Sequence, residues 1–188
     1  QKVEFPIESE LFLIDKNAFE SSSITKISIP SHVRQIGKYA FNNCHNIETV
    51  EFSDDSELEL IGDHAFDNSS IERITIPRNV YHIGHHSFQL CGALKKIEFC
   101  SSSKLHSIST STFEFCGIES ILIPSSVLSI DSRAFMFCDC LSKVEFMDDS
   151  NLIFIGKSSF SHSCIESIKI PRHVSHISER AFNECSVL

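Results

Sequence analysis

A pattern beginning at Ile24 returns at Ile71, Ile118 and Ile165, a period of 47 residues kept without insertion or deletion. The same spacing carries Pro30, Pro77, Pro124 and Pro171, and also Phe41, Phe88, Phe135 and Phe182. A fixed period of this size dictates architecture before any local propensity does. Each unit is too small to bury its apolar side alone, so it must stack on its neighbours. Four such units account for all 188 residues.

Every unit divides into two related coils, a 23-residue form such as IERITIPRNVYHIGHHSFQLCGA (71–93) and a 24-residue form such as LKKIEFCSSSKLHSISTSTFEFCG (94–117). Apolar residues alternate with polar ones where a coil begins, as at Ile27 and Ile29 or Val50 and Phe52, the period-two mark of a short half-buried strand. Pro30 ends the strand in the shorter coil, because it has no N–H for a ladder. Loops such as Ser53-Asp54 do so in the longer one. Beyond them, VRQIGKYAF and LELIGDHAF place Val33, Ile36 and Phe41, or Leu58, Ile61 and Phe66, toward the interior. These segments are too short for a long helix, and the spacing predicts single turns of 3₁₀ or α character. Stacked coils would form a curved solenoid whose neighbouring strands lie about 4.8 Å apart in one parallel sheet. Phe19, Phe41, Phe66, Phe88, Phe113, Phe135, Phe160 and Phe182 then form a continuous column.

The repeat LxxIxIPxxVxxIGxxAFxxC resembles the leucine-rich repeat of BspA-like proteins, cell-surface antigens of bacteria and parasitic protozoa, over essentially the whole chain. That resemblance implies an α/β repeat fold: a right-handed leucine-rich-repeat solenoid of about eight coils, with the parallel sheet concave and short helical or 3₁₀ turns on the convex face. Residues 1–188 would make one solenoid domain, a fragment of a longer repeat protein. It also implies display at the cell surface or secretion, and adhesion to host or matrix proteins. Asp15, Ser109, Asp131 and Ser178 replace the glycine of the Ile-Gly pair and read as variation between coil types.

Charge narrows the partners. Sixteen basic against 25 acidic side chains give a formal −9 with no basic run, which repels a phosphate backbone and disfavours nucleic acid. No apolar stretch of 18 residues occurs, so membrane attachment would lie outside this segment. The outward strand positions give the candidate binding residues Lys26, Ser28, Glu51, Arg73, Thr75, Lys96, Glu98, Leu122, Lys143, Glu145 and Lys169. The same charges can instead pair across strands and keep an open sheet soluble. The chain has no Trp, and Tyr39 and Tyr81 fall on the back of their coils. Many weak contacts therefore suit this face better than one tight aromatic anchor.

Other residues invite chemistry. His82, His85 and His86 cluster, and a helical turn could place two of their imidazoles on one face, but no third ligand accompanies that pair and the positions are variable polar ones, so they read as solvated histidines and no metal is expected. The eight cysteines contain no CxxC, and Cys44, Cys91, Cys116, Cys138 and Cys185 each follow a column Phe by three residues. Cys91, Cys116 and Cys138 lie on consecutive coils, near enough for one disulfide; most of the thiols read as free, buried small hydrophobes. Asn68-Ser69-Ser70 matches the glycosylation acceptor pattern. No nucleophile elbow or phosphate loop is present, so neither an enzyme, a cofactor nor a small-molecule substrate is expected. The reading is a non-catalytic protein-interaction module, a surface adhesin or antigen. Its alternative is a cytoplasmic scaffold or passive spacer of the same fold.

Overall fold

The structure, a computed structural model, describes residues 2–6 and 8–188. Strands of two kinds alternate along the chain. The longer series comprises β1 (Lys2–Val3), β3 (Lys26–Ile29), β5 (Thr49–Phe52), β7 (Arg73–Ile76), β9 (Lys96–Phe99), β11 (Ser120–Ile123) and β13 (Lys143–Phe146), joined in that order in one parallel sheet. Two-residue strands interleave with them: β2 (Leu13–Ile14), β4 (Gln35–Ile36), β6 (Leu60–Ile61) and β8 (His82–Ile83) form one back sheet. A second back sheet holds β10 (Ser107–Ile108), β12 (Ser129–Ile130), β14 (Phe154–Ile155) and β15 (His176–Ile177). The result is a leucine-rich-repeat solenoid of about eight coils.

Alternation explains the long strands. In β7, Ile74 and Ile76 are buried while Arg73 and Thr75 face solvent, and every long strand from β3 to β13 repeats that in-out order. The inward residues join one cluster running from Ile14 to Ala181. Each short strand from β2 to β14 adds one core residue, such as Ile36, Ile61 or Ile130 with no exposed surface, whereas both residues of β15, in the last coil, are exposed.

The turn leading to each phenylalanine differs from the expected helical turn, and no helix occurs among the described residues. Two residues per coil, those two before and two after the column Phe, have φ between 53° and 59°, for example Tyr39 and Asn43 around Phe41. A left-handed residue every fourth position prevents a helix from propagating. Backbone donors alternate instead. Tyr39, Phe41 and Asn43 donate across to the carbonyls of Asp63, Ala65 and Asp67 in the next coil, at 3.0, 2.7 and 2.9 Å. Ala40 and Asn42 donate three residues back, to Gly37 and Tyr39. The turn is thus a ladder between coils, like the strands.

Among the described residues, none of the sixteen with left-handed backbone is glycine, and each such residue costs roughly 1 kcal/mol or more. Ring stacking offsets part of that cost. Tyr39 stacks on His64 and His64 on His86, both at 4.8 Å, while Phe115, Phe137 and His162 stack at 4.7 and 4.4 Å. Inside the coil, the eight column phenylalanines stack continuously at 5.1 to 5.5 Å with their planes within 19°. Phe41, Phe66, Phe88, Phe113, Phe135 and Phe160 have no exposed surface. Burial of each contributes roughly 1.5–3 kcal/mol.

Glycine in the Ile-Gly pair is a matter of clearance. A Cβ at Gly84 would lie 2.4 Å from the Asp63 nitrogen and 2.6 Å from the Gly62 carbonyl carbon. Gly37, Gly62 and Gly84 each donate to the isoleucine carbonyl of the preceding coil at 2.7 to 2.8 Å. At Ser109 the hydroxyl takes over that role, donating to Ile83 O at 2.6 Å. It is here, between β8 and β10, that the back sheet divides.

Two predictions follow from this packing. Phe113→Ala should lower the unfolding free energy by about 3–5 kcal/mol, and Phe182→Ala, at the half-buried end of the column, by less; denaturant titration checks the order. Gly84→Ala should cost about 1–3 kcal/mol by overpacking. Gly92→Ala, where an added Cβ meets nothing within 4 Å, should leave the denaturation midpoint unchanged.

Candidate interaction surface

The outward side chains of the long sheet form two columns, because parallel strands in register place equivalent residues side by side. Lys26 stands opposite Thr49 and Ser28 opposite Glu51; Arg73 faces Lys96, Thr75 faces Glu98, and Leu122 faces Glu145 beside Lys143. Lys169 continues the second column past the Lys143↔Ser167 bridge. All eleven sequence-predicted residues therefore share one face, and ten of them are exposed, Lys26 being half-buried. Leu122, 47% exposed, is the one apolar member.

Many of the charges are neutralised on that face. Lys26 pairs with Glu51, Lys96 with Glu98 at 2.6 Å and Lys143 with Glu145 at 3.0 Å, and Lys2 pairs with Glu4. Hydrogen bonds from the Lys26 ammonium and the Ser28 hydroxyl hold the Glu51 carboxyl below its usual range. The Lys96 ammonium does the same to Glu98. Arg73 and Lys169 differ: among the described residues neither makes an ion pair with a carboxylate.

Both of these cations lie beside a groove. β3 with β5, β7 with β9 and β11 with β13 pair over four residues. By contrast, β5 meets β7 only at Thr49↔Arg73, β9 meets β11 only at Lys96↔Ser120, and β13 meets the next coil only at Lys143↔Ser167. Strands part wherever a longer coil, leaving through a loop such as 53–56, is followed by a shorter one that turns at once at its proline. The first parting opens a groove of about 490 Å³ lined by Phe52, Ile76 and Pro77, with Asp54, Arg73 and Arg78 among its polar residues. A groove of about 410 Å³ at the third is lined by Phe146, Ile170 and Pro171, with Asp148, Lys169 and Arg172. The two share an apolar floor and a charged rim 94 residues apart. At the middle parting, Ser101 and Ser125 stand where the others carry Asp and Arg.

Sequence reading placed Glu51, Arg73, Thr75, Glu145 and Lys169 on the face but missed that they line grooves with Asp54, Arg78, Asp148 and Arg172. The signal was the alternation of 23- and 24-residue coils, which sets where strands part.

The other chemical candidates are engaged in packing. His86 stacks on His64 and shares a hydrogen bond with Gln89, and no group of three or more His, Cys, Asp or Glu converges as a metal site would require among the described residues. Asn68 donates its amide to Asn43 Oδ1 at 2.8 Å, and Ser69 is buried against Cys91. All cysteines are unpaired. The five column thiols donate to the phenylalanine carbonyl of an earlier coil, as Cys138 does to Phe113 O at 3.0 Å. Burial pushes the Cys138 thiol up to about 12, so it is inert as a nucleophile.

Comparison with known proteins agrees with this geometry. The profile of the BspA type leucine rich repeat region matches residues 13–141 and 59–188. No curated protein matches significantly. Among solved structures, the pneumococcal vaccine antigen PcpA is 35% identical with a TM-score of 0.64, covering 66% of this chain and 31% of its own. A leucine-rich repeat protein from Bacteroides ovatus is 27% identical with a TM-score of 0.68, covering 92% and 52%. The leucine-rich-repeat protein of T. pallidum is 26% identical with a TM-score of 0.72, covering 86% and 75%. The chain thus spans about a third and about half of the first two structures. Repeat, fold and profile together place the chain in the BspA-type leucine-rich-repeat family.

Proposed function

We propose that the chain is a surface-displayed interaction module that binds a host or matrix protein through the open face of its long sheet. The observation that carries this reading is the contrast in charge pairing. Lysines 26, 96 and 143 are held by glutamates, whereas Arg73 and Lys169 are left for a ligand at the rims of two similar grooves. An apolar floor flanked by cations suits an extended protein segment that offers apolar side chains and carboxylates. Two such grooves on one rigid stack let individually weak contacts add through effective concentration. Likeness to a vaccine antigen supports display outside the cell. No helix among the described residues is long and apolar enough to cross a membrane, so on this reading any membrane anchor lies elsewhere in the parent protein.

Eight unpaired thiols favour a second reading, a scaffold held in a reducing cytoplasm. Antibody staining of intact cells separates the two.

The binding test measures the chain against an immobilised panel of extracellular-matrix proteins. Reversing both unpaired cations, Arg73→Glu with Lys169→Glu, should weaken the strongest interaction about tenfold or more. Lys16→Glu, exposed just after the back strand β2, is the control and should change it little. Equal binding by wild type and the double variant would remove the grooves from the account.

A further inference from the structure

Three cysteines stand outside the buried column: Cys100, Cys140 and Cys164. Two of them meet. Lys143 bridges Ser167 in parallel register, and Glu166 N–H donates to Ser142 O at 3.3 Å. Cys140 and Cys164 each stand immediately before the first core residue of their adjacent coils, Leu141 and Ile165, Cys140 in the turn that the Leu141 N–H closes on Cys138 O at 2.9 Å. Neighbouring parallel chains run about 4.8 Å apart, inside the Cα separation of roughly 4.4–6.8 Å that a disulfide spans. The direction of the side chain is visible two units earlier. Ser70, equivalent to Cys164, reaches back to the preceding coil and donates to His45 O at 2.7 Å, and His45 is the equivalent of Asp139, next to Cys140.

Their surroundings also set this pair apart. Cys140 is exposed and Cys164 half-buried, and neither thiol makes a hydrogen bond among the described residues. The column thiols are held against phenylalanine carbonyls. Elsewhere in the row that precedes each coil stand Ser23, Asn46, Ser70, Ala93 and Gly117. Only this junction has a cysteine in that row on both of its coils.

We propose that Cys140 and Cys164 form an inter-coil disulfide under oxidising conditions. With oxidised glutathione as oxidant, one thiolate attacks the glutathione disulfide and releases one reduced glutathione. The other thiolate then displaces the second glutathione and closes the protein S–S bond. Two protein thiols are oxidised, and their two electrons and two protons leave on the two glutathione molecules. The bond ties together the starts of the two strands whose far ends part to open the groove of Phe146 and Pro171, so it clamps the closed end of that groove.

The experiment oxidises the whole chain with glutathione redox buffer, counts thiols in denaturant and maps the linkage. The expected result is six free thiols against eight in the reduced chain, with Cys140 joined to Cys164. Cleavage before Asp139 separates Cys140 from Cys138 in the map. Oxidation should also raise the thermal midpoint of wild type and leave that of the Cys140→Ser/Cys164→Ser variant unmoved. Eight thiols remaining, glutathione adducts without a cross-link, or a bond to any other cysteine would overturn the proposal.

Discussion

The structure depends on one interaction, the hydrogen bond from each column phenylalanine but the last to the carbonyl of the next coil, such as Phe41 to Ala65 at 2.7 Å. It holds adjacent coils at the spacing where the rings stack, and the left-handed residues on either side aim further donors the same way. A helical turn would satisfy its donors within its own coil and leave adjacent coils joined by side chains alone. Using the turn as a ladder makes the back of the molecule a continuation of its sheet. The requirement explains the glycines as well, since backbones that close leave no room for a Cβ at Gly84.

This rigidity shapes the open face. Parallel strands fixed in register repeat whatever charge the sequence supplies, so lysine and glutamate settle into pairs by spacing. Unequal coil length is the exception that gives the face its features. From β5 onward, where a 24-residue coil precedes a 23-residue one the strands part beyond a single paired position, and phenylalanine and proline line a groove beside Arg73 or Lys169. On the proposed reading, the same irregularity that interrupts the sheet makes it able to recognise another protein.

Most of the fold was legible because an exact repeat turns position into geometry. Ile27, Ile36, Phe41 and Cys44 could be assigned to the interior before any coordinates, and all are buried. The conformation of the Phe turn was not legible. Tyr39, Leu90 and Phe115 are poor candidates for left-handed backbone by residue type, and only contact with the adjoining coil selects it. The eleven surface residues could be placed on one face, but which cations stay unpaired depends on side-chain reach. Lys96 bends to Glu98 of its own strand, while Lys26 crosses to Glu51 of the next. That Cys140 and Cys164 occupy the same row of adjacent coils is hidden in the sequence, because they are 24 residues apart and Cys138-x-Cys140 is the nearer pair.

Amide hydrogen exchange tests the central claim most directly. If the Phe turn is an inter-coil ladder, the amides of Phe66, Phe88, Phe113 and Phe135 exchange as slowly as those of the central strands β7 and β9. Fast exchange at those four phenylalanines, at the rate of exposed loop residues such as Asp54 and Asp55, with protection confined to the long strands, would contradict it.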